Sequence, residues 1–353
     1  MLRDEHRYER RWSTEHRCKD GAEFTIEGYY QPHFPNGSLG IPVPAQSLGA
    51  TCLTQVAGYI AEVSLPVLPE SRDPEAQLQP PPFREAHLRG IDWAQDGPFW
   101  RDGWGRPPAT SGDVHATAYV QGFRLAIAPN VDPVAEAAER VQAELPAWWQ
   151  RTAEWLELFG SDHIKMVDHF HWSTGSPAIY FRDHAGQLNL ARGKSWMREV
   201  IHPHLAWKRL VSWEPAVYLA GAGLSPPLAC TLLVDALRAF RNGEWHLSVL
   251  NSGTAAELSL VQLLTEARHP PSGRATLGQL RAAADRHLPG VLPSGFQDLV
   301  VCARNDAAHR GDAIGRERAL IAFDLVQRLA RTVHPLLEDE GFGLTLRPGP
   351  KVK

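Results

Sequence analysis

The chain has 353 residues, 43% hydrophobic and 22% charged, a composition that excludes a largely disordered chain, a fibrous repeat and a coiled coil. At roughly 100–200 residues per domain, this length predicts two domains or three, each able to bury a core of its own. With 36 basic against 40 acidic residues the formal net charge is −4, so any nucleic-acid surface has to be local.

The first twenty residues are dense in charge of both signs and carry no apolar signal core. No apolar run approaches the ~18–20 residues needed to span a bilayer, so no membrane partner is expected. Cys18, Cys52, Cys230 and Cys302 are scattered without paired spacing, which speaks against disulfides and zinc knuckles and fits a cytoplasmic location. Twelve tryptophans point to packed aromatic surfaces more than to chemistry.

From about residue 21 to 130 the sequence is rich in Gly and Pro, with short alternating runs such as Phe24 to Tyr30, Ala50 to Leu68 and Val114 to Ile127. These read as half-buried strands of a small sandwich or barrel, with a Pro-rich loop from Pro69 to Arg84. Asp132-Pro133 then predicts a helix start, with Asp132 as N-cap and Pro133 in the first helical position. That helix extends to Phe159 and is kinked or split by Pro146. Pro177 to Leu190 predicts a hairpin turning near Asp183 to Gly186.

After Gly223 the texture is helical. One helix opens at Pro226-Pro227 and stops at Asn242-Gly243, and a long one runs from Glu244 to Arg268. Others cover Leu277 to His287, a stretch from Ser294 through His309, and about Arg316 to Leu337. Five helices with short connections predict an antiparallel bundle. The expected class is α+β: a β-rich module over 1–130, a connecting helix and hairpin over 131–223 assigned to that module, and a helical domain over 224–345.

The informative stretch is Phe296 to Gly311. At about 100° per residue with Arg304 at 0°, Leu299, Ala303, Phe296, Ala307 and Val300 fall between about 220° and 320°, a core stripe. Arg304, Asn305 and His309 fall on the far side, with Asn305 and His309 at (i, i+4) spacing. Val301, Cys302 and Ala308 lie among them. Small and apolar residues there predict a surface that meets something, and a second subunit would place two Arg/His sets around one cleft. These residue types suit RNA cleavage without a metal. Histidine is the natural base for a 2′-hydroxyl, and arginine is a permanent planar cation for the phosphate. Mere phosphate binding would use the same residues.

Arg304-Asn305-Asp306-Ala307-Ala308-His309 resembles the R-x4–6-H motif of the HEPN superfamily, and Val249 to Leu260 resembles the second helix of such domains. The resemblance spans about residues 224–340. It implies a dimerising helical domain acting as a metal-independent endoribonuclease of a toxin or antiphage type. RNA would be the substrate, no cofactor or metal would be used, and a protein trigger or antitoxin would be a further partner. Carried over, Arg304 and His309 are catalytic and Asn305 supports them, while Arg310 and Glu257 are candidate substrate contacts. The alternative is a non-catalytic HEPN-like dimerisation or binding scaffold.

Other signals compete. His169-Phe-His171 and His202-Pro-His204, with Asp162, His163 and Asp168 near the first pair, have metal-compatible spacing on a strand. Neither a phosphate loop nor a dinucleotide fingerprint is present. Ser173 to Ser176 and Ser225 lack the context of a hydrolase elbow. The tryptophans between Asp92 and Trp104 form a recognition surface or anchor a loop on its own domain.

Overall fold

The computed structural model describes residues 24–30, 41–69, 78–82, 105–106, 117–120, 122–129, 132–160, 170–175, 178–182, 188–192, 196–201, 213–310 and 314–334. For 105–106 and for the strands between 170 and 201, the backbone alone is described. The chain groups into two compact units: residues 1–156 with 163–225, and residues 157–162 with 226–353. It is an α+β protein, with strands in the first unit and helices filling the second.

The first unit is built on an antiparallel sheet. Its strands are β1 (Ile26–Tyr30), β3 (Thr51–Val56), β4 (Tyr59–Ser64), β7 (Phe123–Ala128), β9 (Ala178–Arg182) and β10 (Leu188–Arg192), in the order β10-β9-β1-β7-β4-β3. The expected hairpin is β9 and β10, paired Ala178↔Arg192 to Arg182↔Leu188, and β9 joins the sheet beside β1. Two smaller sheets pair β2 (Ile41–Pro44) and β5 (Gly105–Arg106) with β6 (Thr117–Val120), and β8 (Phe170–Gly175) with β11 (Trp196–Ile201). Every pairing is antiparallel, as short alternating strands without βα crossovers require.

Burial follows position in the sheet. β1 and β7 are internal strands and buried along their whole length, whereas β3 at the edge alternates. Phe123 of β7 sits among Tyr30, Trp148, Trp149 and Trp213, with ring centroids 5.5 to 5.7 Å away. Three of the twelve tryptophans therefore lie in an aromatic core. Arg124, on the same strand, is buried against Glu62 and Ser64, so its charge is paired and hydrogen-bonded.

Helix α1 (Val134–Gly160) begins one residue later than the sequence suggests. Asp132 does not act as its N-cap: its carboxylate accepts from the Tyr59 hydroxyl at 2.6 Å and from Arg140 at 3.2 Å. The helix is also not split at Pro146, which it carries on its exposed side. The buried residues Leu145, Trp148 and Trp149 flank the proline and outweigh the ~3 kcal/mol that an interior proline costs. Helix α2 (Trp213–Gly221) lies on β3, where Thr54 Oγ1 donates to the Val217 carbonyl at 2.7 Å. A Cβ at position 221 would stand 2.6 Å from the Gln55 backbone nitrogen, so only glycine permits this approach.

The second unit holds α3 (Leu228–Arg241), α4 (Trp245–Glu266), α5 (Leu277–His287), a composite helix α6 over 297–310 and α7 (Arg316–Val333). Their termini follow the sequence signals. Asn242 caps α3 with Gly243 at φ +80°, and Thr276 and Gln279 form a reciprocal capping box on α5. Helix α4 is central, packed by α3, α5, α6 and α7. A cluster of Phe240, Val249, Ala303, Ala307, Ile314, Ala319 and Ala322 joins α3, α4, α6 and α7. No helix among the described residues is long and apolar enough to cross a membrane.

Candidate functional site

Helix α6 carries the Arg/His motif and is not a regular α-helix. It is π-wound over Gln297–Cys302, α-wound over Ala303–Asn305 and π-wound again over Asp306–Arg310. A π turn closes from i to i+5, so each residue advances less than the 100° of an α-helix. A wheel drawn at 100° per residue therefore does not fix the angle between Arg304 and His309.

The core stripe is present: Phe296, Val300, Ala303 and Ala307 are buried, and Leu299 is half-buried. The opposite side differs from the expectation in one respect. Val301, expected among the outward residues, is 2% exposed and faces Gly278 of α5. Helix α5 covers that part of α6, which accounts for an apolar residue there without any second subunit. Ala308 remains exposed and Cys302 half-exposed.

Arg304 is the best-defined site residue. Its Nη2 lies 3.3 Å from Glu257 Oε1 on α4, both side chains being about a quarter exposed. Its Nε is buried with no hydrogen-bond partner among the described residues. The stem crosses α4 at Gly253, where a Cβ would come within 2.4 Å of Arg304 Cγ and 2.9 Å of its Cβ. The structure thus brings Glu257 and Arg304 together, and Glu257 touches a catalytic candidate directly. Asn305 and His309 are exposed, and no side-chain hydrogen bond joins them among the described residues. The side chain of Arg310 lies outside the described residues.

Two bracing contacts escaped the sequence reading. Asp306, within the motif, accepts from Arg318 of α7 at 2.7 Å and fixes the second π turn. Gln297 accepts from Arg281 of α5 at 3.3 Å and donates to Cys302 Sγ at 3.6 Å, which fixes the first. An acidic residue inside the motif was the available signal for Asp306. Nothing in the local sequence announced Gln297.

Of the histidines in the two His-x-His pairs, only the backbone of His171, in β8, is described. His169, His202, His204, Asp162, His163, Asp168 and the tryptophan loop lie outside the described residues. No family model, curated protein or solved structure matches the chain.

Proposed function

We propose that the helical unit is a HEPN-like, metal-independent endoribonuclease with its site on α6. The observation that carries this reading is a half-exposed arginine, seated between α6 and α4, sharing a π-wound helix with an exposed histidine. In this scheme His309 removes the proton from a ribose 2′-hydroxyl. The 2′ oxygen attacks the adjacent phosphorus, a 2′–O–P bond forms, and the P–O5′ bond breaks. The departing 5′ oxygen takes a proton from solvent. Arg304 holds the phosphate and balances the added charge, and Asn305 and Arg310 contact the substrate beside it. The protein acts in the cytoplasm as a toxin or antiphage effector, and the β-rich unit senses a trigger or restrains the nuclease. That last role rests on architecture by analogy.

The nuclease unit works as a homodimer. Support comes from α4, whose outward residues Leu247, Asn251, Thr254, Leu258, Val261 and Thr265 are uncharged and alternate in steps of four and three. A second reading, a non-catalytic scaffold, draws on one observation: among the described residues no hydrogen bond orients the His309 imidazole, as a general base usually requires.

The test is RNA cleavage in EDTA by wild type, His309→Ala and Arg304→Ala, with size and circular dichroism checked on each. Removing the base should slow cleavage by about 10²–10⁴-fold with the fold intact. Equal cleavage by wild type and His309→Ala, or cleavage abolished by EDTA, would overturn the scheme.

A further inference from the structure

Glu257 is an awkward substrate contact. A carboxylate facing a phosphate repels it, yet Glu257 is half-buried beside the arginine that the nuclease reading assigns to that phosphate. Gly253, one turn earlier on the same helix, is equally odd, because alanine is the better helix former at an interior position. Both are explained by what they do to Arg304. The guanidinium has five N–H groups in a rigid fork. Its Nε is buried without a partner among the described residues, and Nη2 stands in an ion pair with Glu257, 3.3 Å from the carboxylate oxygen. The N–H groups left for an anion are those of Nη1 and the edge of Nη2 beside it, a planar pair. Gly253 sets the depth of the stem, since any Cβ there would collide with Arg304 Cγ at 2.4 Å. Glu257 sets the rotation of the plane and keeps the cation paired while no phosphate is bound.

We propose that Glu257 and Gly253 are the positioning residues of Arg304, holding its outer N–H edge toward a phosphodiester. The catalytic half of this inference rests on the nuclease reading, while the seat itself does not. Its substrate class follows from the geometry: a planar two-donor edge fits two oxygens of a singly charged phosphodiester.

The experiment compares wild type, Glu257→Ala, Glu257→Gln and Gly253→Ala as full-length chains, with thermal unfolding measured on each. Two readouts are taken. The first is steady-state cleavage of a short RNA: a misplaced arginine should lower kcat by about 10–100-fold, with KM changed much less. Glu257→Gln retains an acceptor oxygen at the same reach and should recover most of what Glu257→Ala loses, a rescue that a merely structural role would not give. The second readout needs no activity: modification of Arg304 by phenylglyoxal, followed by peptide mass spectrometry, should speed several-fold in Glu257→Ala and change in Gly253→Ala. Unchanged kcat in both alanine variants of an enzyme that Arg304→Ala inactivates overturns the proposal and leaves the nuclease reading standing. A wild type that cleaves nothing, with Arg304 modification still responding to Glu257→Ala, upholds the seat and removes the nuclease reading. Modification unchanged in every variant overturns the seat itself.

Discussion

Neighbouring residues on α6 have different fates because three helices press on it from different sides. Val301 is sealed by α5, Arg304 is half-covered by α4, and Cys302 between them stays half-exposed. Burial pushes the Cys230 thiol up to about 12, and Cys52 is raised further by burial and by the carboxylate of Glu214. A thiol is nucleophilic only as its thiolate, so both should be inert in the folded state. With Cys18 replaced by serine, iodoacetamide should label Cys302 in the native protein and reach Cys52 and Cys230 only on unfolding. Mass spectrometry of native and urea-treated samples reads this out. Labelling of Cys230 at the rate of Cys302 would mean that α3 does not pack as described.

At the scale of elements, the helix ends carried most of the legible information. Asn242-Gly243 and the Thr276 capping box are local signals, satisfied by residues within one turn; the first located its helix end in the sequence, and the second is a signal that was there to be read. The side assignments on α6 were less legible for a physical reason. A wheel drawn at 100° per residue assumes α winding and cannot see that α5 folds over one flank. The seat of Arg304 was half-legible: a glycine in the middle of a 22-residue helix marks a close approach, but not which side chain makes it. The same scale yields a pH prediction. Helix α4 ends in a Schellman motif with Arg268 at φ +64°, where the His269 N–H donates to the Leu264 carbonyl at 2.8 Å. That holds the His269 ring 4.0 Å from His287, the last residue of α5. His287 is held below the ordinary histidine value, first by desolvation and then by repulsion from His269 and Arg286. The unfolded chain therefore binds more protons than the folded one in the interval between the two values. This contribution to stability is complete above pH ~6.5 and is lost as pH falls through the lower folded value. Urea midpoints should drop on acidification below that point, and less steeply in His269→Ala. An identical pH slope in the two proteins would show that the stacked pair is not felt.

At the scale of the whole molecule, α4 poses a problem that the described residues leave unsolved. Over its 22 residues the only acidic groups are Glu257 and Glu266, there is no Lys or Arg, and apolar residues face every direction. Such a helix belongs in an interior, yet Leu247 is 45% exposed and Val261 37%. Exposed Leu247, Thr254, Val261 and Thr265 and partly exposed Asn251 and Leu258 follow a/d spacing, with Asn251 as the one amide among these six. A seam of this kind is self-complementary about a two-fold axis, and a single asparagine within it fixes register. A second copy of α4 is thus the occupant that suits it. Position 257 falls about 80° from the centre of the seam, so pairing would bring two Arg304 seats to its two borders. The expected outcome is a dimer by sedimentation velocity at micromolar concentration. Val261→Glu or Leu258→Glu should give folded monomers, because each buries a charge at the middle of the contact. If RNA cleavage depends on both seats, it should fall in parallel with the dimer and recover at high protein concentration. A wild type that sediments as a monomer would remove the dimer from the proposed function. Variants that remain dimeric would move the interface off α4 and leave its exposed face to a different partner.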